Sequence, residues 1–331
     1  MTTKIADLAR AVLAGRPIDR DDALYLIQLP PEKRYELFYW ANEIRLQYCG
    51  PDISLCAIAS ARTAACPEDC KFCAQSAHYQ TVVKPHTATN EELLAAAELA
   101  QKLGAHSFGI VASGRAPMDH GIDRLEPVFR HIAQADRTLC CASLGCLTLE
   151  QAQRLHALGV RRYNHNLETS RRFFPQIVST HSYDDRLATI KNAQQAGLQT
   201  CCGGIIGLGE SLQDRIDLAL TLRELNVDTI PLNFLNRITG TPLMDLPPET
   251  PMSLLHTLAV FRFVLQNKPI NIAGGREARL RDLQSWIFFA GASGTMIGNY
   301  LTTAGRSPKE DFQMLADLEL PIVRGCGETS S

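Results

Sequence analysis

The sequence contains no uninterrupted apolar run of about 18 residues, the least a membrane-spanning helix needs. Its first stretch, MTTKIADLARAVLAGRPIDRDD, carries acids early and lacks the apolar centre of a secretory signal. Charge of either sign is not in excess, with 33 basic residues against 35 acidic ones and a net charge of −2. That balance argues against nucleic acid or an anionic membrane as a partner, since both select a basic face. No internal repeat, low-complexity tract or linker rich in Gly, Pro or Ser divides the 331 residues. A hydrophobic content of 45% and a charged content of 21% are those of an ordinary globular protein with a sizeable core. The expectation is a cytoplasmic protein.

Cysteine, by contrast, is plentiful, with 11 in the chain. In a reducing compartment clustered cysteines read as metal ligands or catalytic groups rather than disulfides. Isolated ones, such as Cys49 and Cys56, read as packing residues, because a free thiol buries well.

Short apolar runs alternate with longer segments of helical period. Eight runs read as strands: LCAIASA, SFGIVAS, TLCCASLG, RRYNHNL, QTCCGGIIG, DTIPLNFL, PINIAG and GTMIGN. Helices are predicted over 90–103, 125–134, 149–158, 183–196, 212–225, 252–266 and 277–290. The first has clear boundary signals: Thr89 or Asn90 as cap, Glu91 and Glu92 at the positive end of the dipole, and Gly104 as stop. Eight such units predict an α/β fold, a (β/α)8 TIM-type barrel, with a doubly wound open sheet as the alternative. The barrel is expected over 51–306, preceded by a helical extension over 1–50 and followed by a helix and tail over 307–331. In a barrel the chemistry belongs at the C-terminal ends of the strands. That is where the unusual residues of this chain collect.

Within ACPEDCKFCAQSAHY, Cys66, Cys70 and Cys73 follow the first strand with the spacing Cys-x-x-x-Cys-x-x-Cys. Structural zinc takes four ligands in paired clusters, and His78 does not complete such a spacing. A [4Fe-4S] cube held by three thiolates fits better, because one iron stays open for a substrate or cofactor. The motif resembles that of the radical S-adenosylmethionine (SAM) superfamily, in which SAM chelates the open iron and is cleaved to a 5′-deoxyadenosyl radical. A longer resemblance covers about residues 50 to 320. ACPEDCKFCAQSAHY, RRYNHNLETS, GGIIGLGES, IPLNFL, GTPL, GGREARLRDLQ and YLTTAG together, and in this order, are similar to the biotin synthase family.

That resemblance implies a sulfurtransferase that closes the thiophane ring of biotin by inserting sulfur into dethiobiotin, with an auxiliary iron–sulfur cluster as the sulfur source. It implies that Cys66, Cys70 and Cys73 hold the SAM cluster and that Arg186 pairs with the SAM carboxylate, which a planar fork suits. Asn164, Asn166 and Asn233 match asparagines facing the bound substrates; amides can donate to and accept from the ureido ring. Asn164 and Asn166, at alternate positions of a strand, share a face. Asn166 and Glu168 are also expected beside SAM, with Glu168 at its ribose. His165, between the asparagines, is expected as a hydrogen-bonded packing residue on the other face. The glycines of GGIIGLGE are expected where backbone passes close to the adenosine. Further implications are a flavodoxin or ferredoxin as electron donor, and a homodimer.

At the auxiliary site the chain departs from the family. The usual [2Fe-2S] cluster there is held by cysteines on strands 2, 3 and 5 and an arginine on strand 7. Cys141 and Cys201 match two of these, but Gly109 stands at the strand-2 position and Asn271 at the arginine. Cys140, Cys146, Cys202 and Cys326 are additional thiols. The expectation is a rebuilt cluster of the four-iron type, otherwise [2Fe-2S], on Cys141 and Cys201 with Cys146 as third ligand, and with Cys202 and Cys326 as outside candidates. Cys140 and Cys202, each next to a chosen cysteine, would face the other way. Two rival readings remain at this level: another radical SAM enzyme of maturase or mutase type on the same scaffold, and a non-catalytic zinc or iron–sulfur protein.

Overall fold

A computed structural model of the chain describes residues 3–118 and 120–323. Three helices come first: α1 (Lys4–Leu13), α2 (Arg20–Ile27) and α3 (Arg34–Cys49). Strand β1 (Ser54–Thr63) then begins a parallel series, interrupted only by the short antiparallel β2 (His86–Thr87). There follow α4 (Asn90–Lys102), β3 (Ser107–Ala112), α5 (Gly121–Ala135), β4 (Leu139–Ser143), α6 (Leu149–Ala157), β5 (Arg162–Asn164) and α7 (Tyr183–Gln195). The fifth barrel strand comes in two halves, β6 (Gln199–Cys201) and β7 (Gly204–Ile206). The rest is α8 (Leu212–Glu224), β8 (Ile230–Phe234), α9 (Pro251–Leu265), β9 (Ile270–Ile272), α10 (Arg276–Leu280), α11 (Trp286–Phe289), β10 (Gly294–Met296) and α12 (Pro308–Asp317).

The strand order is β6-β5-β4-β3-β1-β10-β9-β8-β7, so the two ends of the series are the halves of one strand. Bridges between Cys201 and Thr229 and between Glu168 and Gly204 join that strand to both neighbours and close the ring. Its break coincides with Gly203 and Gly204. A side chain on Gly203 would meet the Pro231 carbonyl oxygen at 1.9 Å, and one on Gly204 the Glu168 carbonyl at 2.5 Å. These glycines therefore serve the packing of strand against strand.

All eight expected barrel strands are present, and six of the seven expected helices are continuous. Their starts are fixed by side-chain caps: Thr89 with Glu92, Thr148 with Gln151, Ser182 with Asp185 and Ser211 with Asp214 each form a reciprocal capping box. The segment expected as one helix over 277–290 is broken instead. Arg281, at φ 52°, separates α10 from a 3-10 turn and α11, whose Trp286 packs on Tyr35 and Phe38 of α3. Tertiary packing overrides propensity there.

Helix α9 is apolar around its whole circumference and is buried from Leu254 to Leu265. Such a helix needs cover on both sides; the barrel supplies one and the extension, through α2 and α3, the other. Among the described residues no helix is long and apolar enough to cross a membrane.

Candidate active site

Beyond β1 the chain turns through Ala64 and Ala65, both with left-handed backbone at φ 61° and 49°. It then folds back on itself. The Cys66 amide donates to the Gln75 carbonyl at 3.0 Å and the Ala77 amide to the Cys66 carbonyl at 2.8 Å. Inside that bracket the Cys73 amide donates to the Cys70 carbonyl at 2.9 Å and the Ser76 amide to the Cys73 carbonyl at 3.3 Å. The result brings three thiols to one side of a small loop, with Cys66 and Cys70 buried. Burial pushes the Cys70 thiol up, opposed by Arg186 and reinforced by Cys73, Glu168 and Cys66. Cys73 is raised to about 11, first by burial, and it too feels Cys66 and Glu168.

The loop is tied to the segment before α7. Asp69 accepts from the Ser179 amide at 2.9 Å, the Thr180 amide at 3.2 Å and both hydroxyls. Partial burial works to raise the Asp69 carboxyl, but these donors outweigh it and hold it at about 2. Glu68 accepts from the Thr180 hydroxyl at 2.6 Å and binds His181 Nδ1. His181 Nε2 in turn accepts from Arg186 Nε at 3.0 Å, and Arg186 also donates to the Asn166 carbonyl at 2.7 Å. Its guanidinium lies 3.5 Å from Glu168 and 5.5 Å over the Phe174 ring. A relay of buried polar groups thus runs from the cysteine loop to β5. Glu168 holds left-handed backbone at φ 69°, and one of its carboxylate oxygens is buried without a partner. Burial raises its pKa against the pull of Arg186 and Asn166.

Beneath the loop a cavity of about 310 Å³ occupies the C-terminal mouth of the barrel. Cys73, Asn164, Asn166 and Asn233 line it together, as the alternate spacing on the strand predicts. Asn166 Oδ1 accepts from the Gly203 amide at 3.1 Å and Asn233 Oδ1 from the Gly274 amide at 2.8 Å. Asn164 Oδ1 is buried and unpartnered. Neither Glu168 nor Arg186 reaches this cavity; both stand in the relay behind it. His165 stacks on Tyr163, but its Nε2 is buried with no hydrogen bond, so the expected bond is absent. Burial, with Arg186 and His181 nearby, keeps its ring neutral.

The remaining thiols separate into two groups. Cys141 and Cys201 are buried in the barrel interior, where each lies within electrostatic reach of the other. Gly109 is paired in register with Cys141, so the empty strand-2 position does face this interior. Asn271 is buried there too, its Oδ1 without a partner. Cys146 does not join them. Gly145, at φ 91°, turns the chain out of the barrel, and Cys146 ends beside Thr189, Arg186 and Asp185 of α7. Cys146, expected as the third ligand, is thus not brought beside Cys141 and Cys201. Cys140 faces outward beside His156 and Arg161, and Cys202 faces outward toward Tyr183, as alternation requires. Cys326 lies outside the described residues. Cys56, read from the sequence as a packing residue, lies in the same interior, within electrostatic reach of Cys141. It is raised to about 12, first by burial and next by Cys141.

Among the described residues no three His, Cys, Asp or Glu side chains converge tightly enough for a single metal ion. Two looser groups of buried thiols, one beside Arg186 and one deep in the barrel, suit clusters, whose several irons spread their thiolates apart.

Residues 61–222 match the Radical SAM superfamily, and residues 231–321 match the Biotin and Thiamin Synthesis associated domain. The chain is 48% identical over 321 residues to a biotin synthase of Geobacter sulfurreducens, covering 96% of this chain and 97% of that protein. It is 45% identical over 325 residues to a biotin synthase of Carboxydothermus hydrogenoformans, covering 97% and 100%. Among solved structures, methylornithine synthase superposes with a TM-score of 0.84 at 18% identity, over 96% of this chain and 97% of the other. The FeFe-hydrogenase maturase from Carboxydothermus hydrogenoformans does so with 0.81 at 17%, over 96% and 78%. At such identities the structural likeness carries the fold alone.

Proposed function

The chain belongs to the biotin synthase family of radical SAM enzymes, and from that premise we propose that its barrel mouth is where dethiobiotin becomes biotin. The observation that carries this reading is vertical order. The three-thiol loop caps the asparagine-lined cavity, and Cys141 and Cys201 lie deeper in the same barrel. A substrate in the cavity is then held between two sulfur-rich sites. When bound, the [4Fe-4S] cluster with SAM and the auxiliary cluster supply radical hydrogen abstraction and the inserted sulfur.

In this reading Cys66, Cys70 and Cys73 hold the SAM cluster, and Cys141 and Cys201 hold the auxiliary one. We assign the latter to the four-iron type, because Gly109 and Asn271 supply neither the thiol nor the guanidinium of the usual [2Fe-2S] site. Arg186 offers its Nη2 to the SAM carboxylate while His181 and the Asn166 carbonyl hold Nε and Nη1 in place. Glu168, raised by burial, is suited to bond a ribose hydroxyl. Asn164, Asn166 and Asn233, which line the cavity together, supply the amide set for the ureido ring of dethiobiotin. The apolar stretch of the wall, from Ile58, Val111 and Met296, fits an alkyl chain and excludes water from a reactive radical. A flavodoxin or ferredoxin as donor, a homodimer and a cytoplasmic location belong to the same reading, on the family resemblance.

Maturase and mutase chemistry on this scaffold is disfavoured by full-length identity to biotin synthases, against a mere likeness of fold to the maturase. Anaerobically reconstituted protein given dethiobiotin, SAM and a reductant is expected to make biotin and 5′-deoxyadenosine. Cleavage of SAM without biotin, from protein carrying both clusters, would overturn the assignment.

A further inference from the structure

We propose that Cys56 is the third thiolate ligand of the auxiliary cluster, an inference that rests on reading Cys141 and Cys201 as its other thiol ligands. In a (β/α)8 barrel the interior is filled in layers, and the side chains of one layer come from alternate strands. Cys56, Cys141 and Cys201 lie on barrel strands one, three and five, and Asn271 lies on strand seven. All four point inward. Cys56, Cys141 and Asn271 each stand two residues before a residue that lines the cavity, namely Ile58, Ser143 and Ala273. Cys201 is paired in register with the cavity-lining Asn164. These four positions thus form one layer directly under the cavity floor.

The thiols interact across the intervening strands. Cys201 lies within electrostatic reach of both Cys141 and Cys56, and Cys56 within reach of Cys141. Between Cys56 and Cys141 runs β3, and the residue it presents there is Gly109, paired in register with both Ile58 and Cys141. A side chain at Gly109 would meet Ile58 at 3.3 Å and Cys141 at 3.7 Å; without one, the space between the two thiols stays open. The ligand missing from the second strand has a replacement on the first, two register pairs lower, where Cys56 is paired with Ser107.

Asn271, the fourth corner, offers an amide oxygen with no hydrogen-bond partner where the other three corners offer sulfur. Three thiolates and no fourth would leave one iron of a cubane without protein sulfur. Cys146, displaced to α7, has no place in this layer.

The test is anaerobic reconstitution of the full-length chain and its variants, read by iron and sulfide analysis and Mössbauer spectroscopy. Wild-type protein is expected to hold about eight irons in two four-iron clusters. Cys56→Ala is expected to lose about half of that iron, as Cys141→Ala does, and to keep the SAM-cluster signal. Cys146→Ala is expected to keep both clusters. Cys56→Ser, nearly isosteric and so safe for folding, is expected to retain the wild-type circular dichroism with an altered or missing second-cluster spectrum. If Cys141→Ala loses the second cluster while Cys56→Ala and Cys56→Ser keep it unchanged, the assignment of Cys56 falls and the auxiliary site stands. If wild-type protein takes up only about four irons, or Cys141→Ala keeps the full load, the auxiliary-site reading itself falls.

Discussion

A carboxylate that accepts bonds from the amides of Ser179 and Thr180, as Asp69 does, pins the cysteine loop to the segment before α7. It needs no chemistry of its own to matter for catalysis, because the spacing of Cys66, Cys70 and Cys73 depends on where their loop is anchored. The Asp69 carboxyl is held at about 2 in the fold, below the ordinary value of about 3.9. Its contribution is therefore complete above the unfolded value and is lost as pH falls through the folded one. In cluster-free protein, thermal melts between about pH 5 and pH 2 should show a steeper loss of stability for wild type than for Asp69→Asn. Equal slopes would mean that the anchor does not hold the loop. Reading this from the sequence was out of reach, because Asp69 and Thr180 are 111 residues apart. The cysteine motif itself was legible, since its chemistry is carried by local spacing.

At the scale of elements, α9 shows how the outer layers are bound together. Arg262 is fully buried within it, donating to the carbonyls of Gly291 at 2.8 Å, Gln266 at 2.7 Å and Lys268 at 2.8 Å. Arg262→Met would leave those carbonyls without their charged donor. A loss of about 3 kcal/mol or more is expected, measured by denaturant unfolding at matched iron content. A change below about 0.5 kcal/mol would show that solvent reaches the site.

The elements themselves were largely visible beforehand, because alternating apolar runs and the caps at Thr89, Thr148, Ser182 and Ser211 are local signals. The break at Arg281 was not visible, since it answers to the packing of Trp286 on α3. Nor was the separation of Cys146 from Cys141 and Cys201. Proximity in sequence placed it with them, whereas the layer a side chain joins is set by strand stagger around the closed barrel. His165 was placed on the correct side, but its missing hydrogen bond depends on neighbours that no periodicity reveals.

At the scale of the whole molecule, the C-terminal helix is fastened to the barrel by a buried ion pair. Arg276, following β9, meets both carboxylate oxygens of Asp311 on α12 at 2.8 and 2.9 Å, and neither side chain is exposed. Asp311→Ala would leave a buried guanidinium short of its main counter-charge, at a cost of about 3–5 kcal/mol.

The pairing of β1 with β10, and of Ile53 with Pro321 and Val323 beside it, has a temporal consequence. A chain emerging from the ribosome exposes Cys66, Cys70 and Cys73 early, but β1 has no neighbour on one side until residues 294–322 have been made. Contacts so far apart in sequence are slow to form and leave an unpaired strand edge waiting. The barrel can shut only after nearly all of the polypeptide is synthesised. The thiols under its floor therefore come together last, later than those of the N-terminal cysteine loop.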